Sequence, residues 1–214
     1  MNDSGILELC IRFRNLTRPY IVPSLKTGGF ISLVMWLRSF LLIKTQPGRE
    51  KEVFDLIQPF PEVREIHLIA GEFDLLAVLE LPETQIDPRR NVVEVVVERV
   101  RKLDGIVDTR TIIPIESRMR EVPPANRPTI RGFVFIQCDV PKAKEIMAKL
   151  AELPEVHGVH RLFGKTDMLV ELEVEKSFVL PPPQHISNIV ETKISKIPGV
   201  HDTNTSVPLE SKIK

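Results

Sequence analysis

The sequence predicts an α+β fold made of two tandem copies of one β-α-β-β-α-β module, docked on each other as a single-chain pseudo-dimer. Three observations predict it. Short motifs recur through most of the chain in one register. Apolar residues alternate between strand runs and helical spacing in the same order in both halves. A proline-bearing polar segment separates the halves.

The repeat comes first, because a missed duplication mis-assigns the whole fold. Ser39-Phe40-Leu41-Leu42-Ile43 recurs as Gly132-Phe133-Val134-Phe135-Ile136, and Pro61-Glu62-Val63 recurs 93 residues on as Pro154-Glu155-Val156. Gly71-Glu72-Phe73-Asp74 recurs as Gly164-Lys165-Thr166-Asp167. Towards the end of each copy the offset becomes 94, pairing Gly105 with Gly199 and Pro114-Ile115-Glu116-Ser117 with Pro208-Leu209-Glu210-Ser211.

Each element then follows. Phe40 to Thr45 and Phe133 to Cys138 are apolar strands. In the second copy Ala143, Ile146, Met147, Leu150 and Leu153 recur at helical spacing; Val53, Phe54, Ile57 and Phe60 fill the last four of these positions in the first. Pro61 and Pro154 mark where those helices have stopped. Val63 to Ala70 and Asp74 to Leu81 read as a hairpin joined by the tight Gly71-Glu72-Phe73 turn. The β-branched run Asn91 to Val97 favours a strand by propensity. The second copy decides for a helix, because Ile186, Ile189, Val190, Ile194 and Ile197 share one helical face and correspond to Val92, Val95, Val96, Val100 and Leu103. Gly105 and Gly199 are expected to cap these helices. Last strands over Val107 to Ile113 and His201 to Val207 complete a ferredoxin-like order twice.

A module of this kind covers one sheet face with helices and leaves the other apolar face in need of a partner. The second copy supplies it at high effective concentration. The expected layout is an N-terminal extension of weak order over 1–38, a first module over 39–117, a linker over 118–131 and a second module over 132–214. Pro123, Pro124 and Pro128 make the linker extended, and at roughly 3.3 Å per residue it spans about 40 Å. The repeat starts just after Met35, which is therefore a candidate start of translation.

Composition narrows the function. The 29 Lys and Arg balance 29 Asp and Glu, against the basic excess of a dedicated nucleic-acid binder. Two cysteines, Cys10 and Cys138, show neither metal-ligand spacing nor a disulfide framework, which fits a reducing, cytoplasmic compartment. No run approaches the ~18 apolar residues of a membrane span. Residues 1–38 hold no pair of amphipathic helices joined by a tight turn, so no helix-turn-helix and no direct contact with nucleic acid are expected.

The module order, the Gly-x-aromatic-Asp turn at Gly71-Glu72-Phe73-Asp74, and the glycine-ended helix with its threonine-bearing last strand (Leu103-Asp104-Gly105-Ile106-Val107-Asp108-Thr109-Arg110-Thr111) resemble the effector-binding, or RAM, domain of the Lrp/AsnC regulators. Ile197 to Thr205 repeats the second motif, and the resemblance covers 39–117 and 132–211. It implies a dimeric αβ-barrel, here within one chain, and amino acids bound near the turn between dimers. The implied function is an amino-acid-sensing accessory module of transcription regulation. It would form homo-oligomers of pseudo-dimers, or hetero-oligomers with family members that keep a DNA-binding part. The candidate ligand-binding residues are Gly71, Glu72, Phe73, Asp74, Gly164, Lys165, Thr166 and Asp167. Thr166 stands where the family carries an aromatic residue, so the second site is altered or lost.

The chemistry of these residues suits a zwitterion. A glycine at positive φ frees backbone N–H groups for a carboxylate, and an aspartate at the strand mouth accepts hydrogen bonds from an ammonium. A competing reading is that each aspartate caps its own turn. Thr109, Thr111, Thr203 and Thr205 share a strand face and read as structural. His67 and His160 are equivalent and placed to meet across a pseudo-two-fold axis, with His157 nearby; no carboxylate or cysteine at ligand spacing supports a metal. Arg118, Arg120, Arg127 and Arg131 read as a solvated linker. No catalytic residue, metal or cofactor is assigned. Two other functions stay open: an αβ-barrel enzyme of oxygenase type, and an oligomerisation scaffold that binds no ligand.

Overall fold

The computed structural model describes residues 36–82, 88–120, 128–176 and 181–214. Of the weakly ordered extension expected over 1–38, Trp36 to Arg38 instead belong to the first strand, and the remainder, with the expected start at Met35, lies outside the described residues. So do Pro123, Pro124 and Arg127.

The first module runs β1 (Trp36–Thr45), α1 (Glu50–Ile57), β2 (Val63–Leu68), β3 (Leu75–Pro82), α2 (Pro88–Glu94) and β4 (Ile106–Ile112), followed by a short β5 (Glu116–Met119). The second repeats it as β6 (Thr129–Cys138), α3 (Ala143–Glu152), β7 (Val156–Arg161), β8 (Met168–Glu175), α4 (Pro182–Ile189), β9 (Val200–Ser206) and β10 (Glu210–Ile213). The ambiguous valine run is helical, with a local compromise. After α2 the backbone opens into a wider π-helical turn over Val95–Arg99, and α4 does the same over Val190–Ile194.

Two antiparallel five-stranded sheets result, ordered β10-β2-β3-β1-β4 and β5-β7-β8-β6-β9. One of the two edge strands of each sheet comes from the other module. β10 pairs with β2 (Ser211 opposite His67), and β5 pairs with β7 (Ser117 opposite His160). The repeat runs through both segments, yet their role as exchanged strands has no signature within either copy. Arg118 and Met119, read from sequence as linker, belong to β5, and Thr129 to Arg131 open β6.

Three apolar cores account for the layering. Leu41, Ile43, Val53, Phe54, Ile57, Ile66 and Val92 lie between the first sheet and its helices. Val134, Ile136, Ile146, Met147, Leu150 and Ile186 do the same in the second. The third core joins the sheets face to face: Phe40, Leu42, Ile69, Phe73, Leu76 and Val78 meet Phe133, Leu162 and Leu169. Alternation along β1 explains the division, since Leu41 and Ile43 point to the helices while Phe40 and Leu42 point to the seam. The molecule is thus a dimeric αβ-barrel within one chain. Among the described residues no helix is long and apolar enough to cross a membrane.

Candidate functional site

The two hairpin turns are built alike. Gly71 has φ +132° and Gly164 φ +131°, a region that L side chains rarely adopt, and the space where a Cβ would project is empty at both. Gly71, Glu72, Gly164 and Lys165 are exposed and Thr166 is half-buried. Both turns therefore open to solvent at the rim of the seam.

The aspartates do structural work. Asp74 Oδ2 accepts hydrogen bonds from the Thr45 backbone N–H at 2.7 Å and from Thr45 Oγ1 at 3.0 Å. Asp167 Oδ2 accepts one from the Cys138 backbone N–H at 2.8 Å. Each carboxylate thus holds the end of its module's first strand, β1 or β6, against the hairpin. Phe73 is buried in the seam core, with the Arg110 guanidinium 4.9 Å from its ring centre; Arg110 also pairs with Glu72 at 3.2 Å. Of the first set, Gly71 and Glu72 remain outward. Of the second, Gly164 and Lys165 do, joined by Phe163, which is 92% exposed. Sequence reasoning missed Phe163 because its equivalent is Ala70, so the repeat gave it no weight.

The seam also carries a polar cluster. Arg38 donates from Nε and Nη2 to the two Glu171 carboxylate oxygens at 2.9 and 2.7 Å, and from Nη2 to Glu65 at 3.0 Å. Arg131 lies 2.8 Å from Glu173 and 3.5 Å from Glu65. It is nearly buried, not the solvated linker residue that sequence suggests. A β-bulge explains how β2 and β7 serve the cluster. The register shifts between Val63 and Glu65, and between Val156 and Gly158. Val63 and Val156 therefore face the helices while His67 and His160 face the seam. Sequence had placed valine and histidine on one face.

His67 and His160 do not pair with each other. His160 Nε2 lies 2.7 Å from Glu171 Oε1, and its Nδ1 lies 2.9 Å from Ser117 Oγ. His67 repeats this with Glu65 at 3.2 Å and Ser211 at 2.8 Å. Beside an ionised glutamate the Nε2–H tautomer donates to the carboxylate, leaving Nδ1 to accept from the serine hydroxyl. Each ring also meets a phenylalanine of the other module edge-on at 4.8 Å, His160 on Phe40 and His67 on Phe133. Burial pushes His160 down from its ordinary range, only partly opposed by Glu171. Burial would raise Glu171, but the Arg38 guanidinium and the His160 hydrogen bond hold it well below the usual carboxylate range. Both side chains are fully buried, so this pair knits the seam and is closed off from solvent. Among the described residues no group of three or more His, Cys, Asp or Glu is placed to hold a metal ion.

The threonines of β4 and β9 pair with the helix-facing residues of β1 and β6, and Thr109 Oγ1 accepts from Arg101 Nε at 2.7 Å. Surface cavities among the described residues lie elsewhere. One of about 200 Å³ is lined by Arg118, Met119, Arg120, Ala151, Val156 and His157. One of about 270 Å³ lies along β4, at Arg101 and Ile106 to Thr109. Neither includes a hairpin-turn residue.

Comparison with known proteins agrees with the duplicated fold. The profile described as the Lrp/AsnC ligand binding domain matches twice, over residues 38–123 and 131–214. An uncharacterized HTH-type transcriptional regulator of Pyrococcus furiosus is 29% identical over 87 residues, 39% of this chain and 55% of the relative. The HTH-type transcriptional regulator FL11 of Pyrococcus horikoshii is 28% identical over 116 residues, 53% of this chain and 68% of that protein. The chain spans about half the length of the first of these. Among solved structures, the siroheme decarboxylase NirDL superposes with a TM-score of 0.60 over 99% of this chain and 82% of its own, at 10% identity, a likeness of fold alone.

Proposed function

Because the chain belongs to the Lrp/AsnC ligand-binding-domain family and carries that domain twice, we propose that it is an amino-acid-sensing accessory module of transcription regulation. The observation that carries this reading is the pair of open, positive-φ turns at Gly71 and Gly164, one within each segment that matches the family domain. Turn backbone N–H groups are then the contact for a ligand carboxylate, and Asp74 and Asp167, which already hold strand ends, are not the main contact for its ammonium.

A single chain supplies half of such a site, and a second chain completes it. Glu72 and Lys165 occupy equivalent positions with opposite charge, so a first-module turn facing a second-module turn brings opposite charges together. Phe163 adds exposed apolar surface at the same rim. The partner is another copy of this chain or a family member with a DNA-binding part. A regulatory role is favoured over an enzymatic one because the buried His–Glu pairs are sealed within the seam.

A thermal-shift screen with the twenty amino acids tests the reading. An amino acid present at 100 times its Kd stabilises the fold by about 2.7 kcal/mol and raises the melting temperature. No shift with any of them would refute it.

A further inference from the structure

Charged residues crowd the stretch from Glu98 to Arg110, and most of them are paired. Glu98 meets Lys102, Arg99 meets Glu62, Asp104 meets Arg49 and Arg110 meets Glu72. Arg101 and Asp108 are the exceptions. Among the described residues neither forms an ion pair, with the other or with any third side chain. Yet both line the cleft of about 270 Å³ along β4, together with Ile106, Val107 and Thr109.

Thr109 holds the two charges in place. Arg101 Nε donates to Thr109 Oγ1 at 2.7 Å, and Arg101 Nη2 lies 3.5 Å from the Thr109 carbonyl oxygen. Asp108 Oδ1 accepts from the Thr109 backbone N–H at 2.7 Å. One buried threonine thus anchors a guanidinium by its hydroxyl and a carboxylate by its amide. Arg101 Nη1 and Asp108 Oδ2 have no hydrogen-bond partner among the described residues. Two anchored, opposite and unanswered charges beside one cleft are the complement of a molecule that carries both. Charge-assisted hydrogen bonds are the strong ones, and groups held in advance lose little freedom on binding.

The second module supplies a contrast. Asp202 Oδ1 accepts from the Thr203 N–H at 2.8 Å, as Asp108 does from Thr109, but Ser195 stands where the first module has Arg101. The carboxylate half of the arrangement is kept there and the guanidinium half is missing.

We propose that the β4 cleft is a second ligand site, binding a small amino acid as its zwitterion, with the ligand carboxylate on Arg101 and its ammonium on Asp108. The cleft is smaller than the roughly 300–1,000 Å³ of sites for drug-sized ligands, which limits the occupant to a few carbons. It shares no lining residue with the hairpin turns and does not depend on the sensing role assigned to them.

Hydrogen exchange of the full chain with L-alanine, propionate or L-alaninamide tests this, the last two each lacking one of alanine's charged groups. L-Alanine slows exchange saturably at residues 106–109, and propionate and L-alaninamide at the same concentrations do not. Arg101→Gln and Asp108→Asn each raise the alanine concentration for half-protection there at least about tenfold, the loss expected for one charge-assisted contact. Both side chains are exposed, so neither variant threatens the fold. Any alanine-dependent protection at 71–74 or 164–167 belongs to the hairpin reading and is unchanged in Arg101→Gln, so the two proposals fail separately. No protection of 106–109 by alanine, equal protection by propionate or by L-alaninamide, or an unchanged alanine dependence in either variant would each overturn the assignment.

Discussion

Arg38 of the first module reaches across the seam and takes both carboxylate oxygens of Glu171 in the second, at 2.9 and 2.7 Å. Glu171 is fully buried and Arg38 nearly so. The contact has no symmetric duplicate, because the residue equivalent to Glu171 is Val78 and the one equivalent to Glu65 is Gly158. Each module supplies one buried carboxylate from a different strand.

Removing one member of this cluster leaves the others charged or polar without a partner in a dry seam. Glu171→Ala is expected to cost about 3–5 kcal/mol, the usual penalty for breaking a buried ion pair. Urea unfolding monitored by circular dichroism measures it, with a lowered midpoint and an unchanged slope.

The exchanged strands are keyed by Ser117 and Ser211, whose hydroxyls donate to His160 and His67. Ser117→Ala and Ser211→Ala each leave a buried Nδ1 without a donor, and each is expected to cost about 1–3 kcal/mol. Hydrogen exchange should show β5 loosening in the first variant and β10 in the second.

Acid should destabilise the fold through two groups with the same sign. His160 has a folded pKa below its ordinary 6.5, so on acidification the unfolded chain takes up the proton first and stability falls below about pH 6.5. Glu171 also has a folded pKa below its ordinary 4.5; its contribution is present above that pH and is lost as pH falls through the folded value. Thermal unfolding between pH 7.5 and about 3 should show a monotonic decline. In His160→Gln the part near pH 6.5 should flatten.

Gly158 sits under the exchanged strand, where a Cβ would come within 2.6 Å of Met119 Sδ and 3.0 Å of His160 Nε2. Gly158→Ala is expected to cost about 1–3 kcal/mol by overpacking, read from the melting temperature.

The two-module architecture was legible because duplication let one copy resolve the other. The valines from Val92 to Val97 read as strand alone and as helix beside Ile186 to Ile194. Conformational needs of the turn were also legible, since Gly71 and Gly164 both take positive φ. Strand exchange was not legible, because Glu116 to Met119 pair with residues some forty positions away and carry no local signal of it. The bulges at Glu65 and Gly158 were equally hidden, because a one-residue shift inverts which side chains face the seam. The turn motif leaves Phe73 and Asp74 open to ligand contact or to packing and capping; their packing against the seam and Thr45 is a tertiary property.

The most direct test of the central claim is hydrogen exchange of the full chain with and without the amino acid that stabilises it most. The account predicts slowed exchange concentrated in residues 71–74 and 164–167. Protection confined to other segments, or none with any amino acid, would contradict it.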